Sequence, residues 1–81
     1  MASYTLTYNH LDNVPMKTAP ADHPVEFRLY DDDDVLYFSG RMSLELYGSH
    51  NILHPLDDSE ASWGCTRLEC RNPRTREWED I

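Results

Sequence analysis

Val25-Glu26-Phe27-Arg28-Leu29-Tyr30, then Asp31-Asp32-Asp33-Asp34, then Val35-Leu36-Tyr37-Phe38-Ser39-Gly40-Arg41-Met42-Ser43-Leu44-Glu45-Leu46 is the stretch that decides the fold. Val25, Phe27 and Leu29 alternate with Glu26, Arg28 and Tyr30, and Leu36, Phe38, Met42, Leu44 and Leu46 hold the same period of two beyond the aspartates. Strand side chains alternate between faces, so each apolar set lines one side of a sheet. The stretch reads as one β-hairpin. Pairing Tyr30 with Val35 sets Leu29 against Leu36 and Phe27 against Phe38, with Arg28 opposite Tyr37 in reach of a cation–π contact. A slip by one residue would turn the apolar set to water, so the alternation specifies the register. Asp suits the turn because its carboxylate bonds nearby backbone N–H groups and it tolerates the left-handed region.

Working outward, Tyr4, Leu6 and Tyr8 alternate with threonines and predict a strand over 3–8. Pro15, Pro20 and Pro24 make residues 9–24 a long connector rather than a helix. Gly40 marks a bend or bulge in a second hairpin strand running from Val35 to Tyr47, favoured over a short helix at Ser43 to Tyr47. Residues 48–62 read as loop with one helical turn at Asp58 to Ala61. A last hairpin joins Cys65–Arg71 to Arg76–Ile81, with Trp78 expected on the face of Leu68 and Cys70 across a loop of about three or five residues. The expected fold class is all-β with little helix: a small antiparallel sheet curled into a partly open barrel, SH3-like or OB-like, forming a single domain over 1–81.

Charge bounds the function. Of the net −8, residues 1–60 carry all of it, with eleven acids against Lys17, Arg28 and Arg41, while 61–81 balance four acids with four arginines. Such a chain is repelled by nucleic-acid phosphates and anionic lipid, so no direct nucleic-acid contact and no membrane partner is expected. Stacking on Tyr4, Tyr8, Tyr30, Tyr37 and Tyr47 would still need a basic groove, and only Arg67, Arg71, Arg74 and Arg76 offer cations in number. The segment Met1-Ala2-Ser3-Tyr4-Thr5 has neither a basic region nor an apolar core, so a cytoplasmic location is expected. Cys65 and Cys70 stand five apart, which points them to opposite faces of a regular strand and predicts free thiols in a reducing compartment.

Catalytic and metal patterns fail on spacing. His50, His54 and Cys65 are the candidate zinc ligands, but Gly48 and Pro55 flank the histidines and no Cys pair forms a tight knuckle. Asp31 to Asp34 lack the alternate spacing and glycine of a calcium loop. Cys65 has no strand-to-helix elbow to activate it. The chain is therefore read as a non-enzyme without a cofactor.

The fragments Phe27-Arg28-Leu29-Tyr30-Asp31-Asp32-Asp33, Leu36-Tyr37-Phe38-Ser39-Gly40-Arg41, Pro55-Leu56-Asp57-Asp58 and Gly64-Cys65-Thr66 resemble short bacterial proteins of unassigned activity. Those carry a similar hairpin followed by Gly-Arg, Pro-Leu-Asp-Asp and Gly-Cys-Thr elements. The resemblance spans residues 25–70 and implies a compact unit. Asp34 stands here where those proteins usually have glycine, which implies a different turn.

The functional expectation is a protein–protein interaction module. Its contact residues are Asp31, Asp32, Asp33, Asp34, Asp57, Asp58 and Glu60, which steer a basic partner, with Tyr30 and Tyr37 as anchors. The alternatives are an inhibitor of the kind carried by phages or plasmids and a zinc-stabilised domain. The inhibitor would mimic nucleic acid, eight charges matching roughly 14 Å of duplex. A homo-oligomer through an edge strand at Ser3–Tyr8 or Arg76–Ile81 is a further expectation.

Overall fold

The computed structural model describes residues 4–81. A strand β1 (Tyr4–Asn9) turns back into a two-residue β2 (Val14–Pro15). The hairpin strands follow as β3 (Val25–Tyr30) and β4 (Leu36–Met42). Two helices, α1 (Leu44–Tyr47) and α2 (His54–Trp63), precede β5 (Arg67–Arg71) and β6 (Trp78–Asp80). The strands form one six-stranded antiparallel sheet in the order β2-β1-β4-β3-β5-β6. No pairing joins β2 to β6 among the described residues, so the sheet is open and not closed into a barrel.

The period-two reading of β3 holds. Val25, Phe27 and Leu29 are buried and join Phe38, Met42, Leu68, Cys70, Cys65 and Leu46 in the core. The register differs from the expected one. Leu29 faces Phe38, Phe27 faces Gly40 and Val25 faces Met42, while Tyr30 faces Leu36 across a bulge. The cause is Asp31. Its carboxylate accepts the N–H groups of Asp33 (2.9 Å) and Val35 (3.0 Å), which draws Val35 into the turn. Arg28 accordingly faces Ser39 rather than Tyr37, and its guanidinium lies 3.9 Å from the Trp78 ring centroid.

The second strand ends at Met42, earlier than expected. Ser43 accepts the Leu46 N–H at 3.1 Å and starts α1, which drops Leu46 into the core. A side-chain cap of this kind outweighs the alternation of Leu44 and Leu46. Helix α2 is longer than the single turn expected. Pro55 lies in its first turn, and Gly64 closes it in the left-handed region at φ 77°, with its N–H shared by the Ser59 and Glu60 carbonyls. Such a closing position favours glycine because a Cβ would crowd the carbonyl. The helix presses only Pro55, Ser59 and part of Leu56 inward, and Trp63 meets the edge of Phe38 with ring centroids 5.4 Å apart.

The last hairpin also departs from the expectation. Arg71 faces Trp78, Cys70 faces Glu79 and Glu69 faces Asp80, so Trp78 lies on the polar face with Arg71, not with Leu68 and Cys70. The loop over 72–77 holds an even number of residues because Arg76 takes φ 66° and the Asn72 side chain accepts the N–H groups of Arg74 and Thr75. Cation–π stacking with Arg28 rewards this placement. The two cysteines are free and buried. No described helix is long and apolar enough to cross a membrane.

Candidate functional site

The hairpin tip is held by its own side chains. Asp31 donates its N–H to Val35 O at 3.1 Å, and Asp34 donates to Asp31 O at 3.1 Å. The N–H of Val35 in particular, together with that of Asp33 and the Tyr37 hydroxyl, holds the Asp31 carboxyl below the usual carboxylate range. Asp34 adopts φ 61°, a left-handed conformation. Its carboxylate receives the Arg67 Nε and Nη2 groups, each at 3.0 Å. Asp32 and Asp33 are exposed, and among the described residues neither carboxylate has a cation partner.

Arg67 ties the tip to the sheet. Its Nη1 bonds Glu69 at 3.0 Å and Asp80 at 3.1 Å, and its guanidinium lies 4.2 Å from the Tyr30 ring centroid. The Tyr30 hydroxyl donates to Glu69 at 2.9 Å. Tyr30 is therefore fixed next to the tip on the polar face. Tyr37 is half-buried, and the Asp31 carboxylate, followed by burial, raises its hydroxyl above the usual value.

The acids of α2 do not join the tip. Asp58 accepts the Tyr4 hydroxyl, and Tyr4 pairs with Met42, at the opposite end of the β3–β4 ladder from Asp31. Burial and the Asp58 carboxylate raise the Tyr4 hydroxyl well above its usual value. Asp57 and Glu60 are exposed on the helix and have no ion pair among the described residues. His50, His54 and Cys65 are not brought together: among the described residues no three His, Cys, Asp or Glu side chains group as a metal site requires. Burial raises the Cys65 thiol, and burial followed by Glu79 pushes the Cys70 thiol up to about 12, so both are poor nucleophiles.

Three features escape the sequence reading. The polar sheet face gathers Arg28, Arg41, Arg67 and Arg71 among the strands, with Arg71 3.3 Å from Glu26. His10 Nε2 lies 2.7 Å from Ser39 Oγ, yet among the described residues no carboxylate bonds its other nitrogen, so the pair lacks the third member of a nucleophilic triad. A cleft lies along β1, where Thr5 Oγ1 stands 3.2 Å from His23 Nδ1. Period two could have placed Arg67 and Tyr30 on one face, but only the β3–β5 pairing makes them neighbours.

Glu79 is a second carboxylate held low, chiefly by the Tyr47 hydroxyl at 2.6 Å and then by Asn72 at 3.0 Å, while Tyr47 itself is pushed up to about 12. A carboxyl with a lower value in the folded state stabilises the fold above its unfolded value and loses that contribution as pH falls through the folded one. Acidification through and below the ordinary carboxylate range should therefore lower the urea midpoint. Asp31→Asn and Glu79→Gln should each flatten that fall. A midpoint unchanged down to the bottom of the range would contradict the two hydrogen-bonded assignments.

Comparison of the chain with family models, with curated proteins and with solved structures finds no match.

Proposed function

We propose that the protein is a non-catalytic interaction module whose acidic hairpin tip steers and docks a basic surface of a partner protein. The observation that supports this most is the division of labour among the four aspartates. Asp31 holds the turn and Asp34 holds Arg67, which leaves Asp32 and Asp33 as exposed carboxylates on a fixed support. Charges already ordered before binding lose little entropy on contact, and a fixed negative patch speeds encounter with a basic one. Asp57 and Glu60 extend the negative field over α2, and Tyr30 offers an aromatic contact beside the tip. The encounter is assigned to the cytoplasm, in keeping with two buried free thiols. The described edges favour a partner over self-pairing: β2 has two residues and contains Pro15, and β6 has three with Glu79 and Asp80 among them.

Capture from a lysate of the source cells tests this reading. The wild type should retain a basic protein at about 50 mM salt and release it at about 500 mM, because screening shortens the reach of exposed charges. Asp32→Asn with Asp33→Asn should cut retention roughly tenfold, equivalent to ~1.4 kcal/mol. Equal retention by the double variant would overturn the assignment to the tip.

A further inference from the structure

Ser39 stands in the middle of β4, opposite a bulge in β1. Leu6 pairs with Gly40 and Tyr8 pairs with Ser39, so Thr7 is the extra residue. Without the bulge Thr7 would face Ser39, and Tyr8 and His10 would share the face of Phe38. The inserted residue turns both rings to the polar face, as bulges re-aim side chains beside active sites. His10 then closes on Ser39, with Nε2 2.7 Å from Oγ.

The pair is held in place and open to one side. The His10 N–H donates to the Tyr37 carbonyl at 2.8 Å, and the His10 ring lies against that of Tyr8 with centroids 4.7 Å apart. The Ser39 carbonyl accepts the Thr7 hydroxyl at 3.3 Å. Ser39 and His10 are both half-buried. Helices α1 and α2 pack on the opposite face, through Leu46 and through Trp63 against Phe38, so neither covers the pair. Burial and then Arg28 hold the His10 imidazole below the ordinary histidine value, which leaves it neutral at about pH 7 and able to accept a proton. Arg28 faces Ser39 across the β3–β4 ladder and has no carboxylate partner among the described residues. Its field acts on His10 and favours negative charge forming on an oxygen at Ser39.

We propose that Ser39 is an acyl acceptor, taking the acyl group of a small uncharged activated ester with His10 Nε2 as the base. Oγ bonds to the acyl carbon as the bond from that carbon to the leaving oxygen breaks. The Ser39 proton passes to Nε2 and from there to the leaving oxygen. An uncharged acyl donor fits better than a phosphoryl donor, because Glu26 and Glu69 stand on the same face and the chain carries −8. No described carboxylate orients the imidazole, so the step is slower than with a full triad, and an acyl-protein rather than rapid turnover is the product. Acylation at Ser39 does not depend on docking by the acidic tip.

p-Nitrophenyl acetate is the probe, added to the folded protein at about pH 7.5, where His10 is neutral. Peptide mass mapping locates each acetyl group, and hydroxylamine releases it from a serine ester but not from an amide at Lys17. Ser39 should be acetylated about a hundredfold faster than Ser43 and Ser49, which are also half-buried, the scale of rate a positioned base supplies. His10→Gln should bring Ser39 down to the rate of Ser43 while Lys17 keeps its own, with the amide NMR spectrum reporting the fold. The comparison among serines is made in the wild type and stands without the variant. Equal rates at the three serines would overturn the proposal, as would an unaltered Ser39 rate in folded His10→Gln.

Discussion

Gly40→Ala should cost about 3 kcal/mol or more of folding stability. On a chain of this size that lowers the melting temperature by roughly 15 °C. A Cβ built on Gly40 would stand 2.5 Å from Phe27 Cζ, 2.8 Å from its Cε2 and 2.5 Å from the Thr5 carbonyl oxygen. Gly40 faces Phe27 on β3 and Leu6 on β1, so the ring of Phe27 occupies the space a side chain would need. The two clashes are separable. Phe27→Leu in the same chain shortens the intruding ring, and the double variant should recover part of the loss, because contacting residues couple. The Thr5 carbonyl belongs to the paired strand and cannot withdraw without parting β1 from β4. Chemical denaturation of the wild type, both single variants and the double variant measures this coupling. Additive losses would show that Gly40 is not packed under Phe27.

Phe38→Ala should cost about 3–5 kcal/mol, the range for removing a buried aromatic ring. Phe38 is 1% exposed, and its ring meets Trp63 at 5.4 Å and Tyr37 at 6.4 Å, each edge to face. Trp63 is the last residue of α2, and the helix otherwise buries only Pro55 and Ser59. Removing the Phe38 ring therefore loosens the end of α2 as well as the sheet core. Trp63 is 51% exposed, so its emission should move towards that of a fully hydrated indole before global unfolding. A loss below about 1 kcal/mol with no change in Trp63 emission would mean that α2 does not dock through this contact.

The core was largely readable from period two: Val25, Phe27, Leu29, Phe38, Met42 and Leu68 lie inside as the alternation requires. What the alternation cannot carry is a side chain that competes for the backbone. Asp31 captured two N–H groups and moved the register, Ser43 captured one and ended the strand, and Asn72 captured two and moved Trp78 to the polar face. Helix α2 had signals at both ends, Pro55 and Gly64, but its inward residues are a proline and a serine, so no apolar stripe announced its length. The exposure of the tip was legible because like charges in a row cannot be packed together. The engagement of Asp34 with Arg67 was not, since it needs the pairing of β5 beside β3. The cleft was hidden for the same reason: Tyr4 and Asp58 are distant in sequence and meet only once β1 and α2 are in place.

The most direct test of the central claim is to map a captured partner onto the labelled protein by NMR chemical-shift perturbation. The largest changes should fall at Asp32, Asp33 and Asp34, spreading to Tyr30 and Arg67 through the contacts that hold the tip. The changes should shrink as salt is raised. Perturbation centred on Arg28, Arg41 and Trp78 of the polar sheet face, with Asp32 and Asp33 silent, would contradict it.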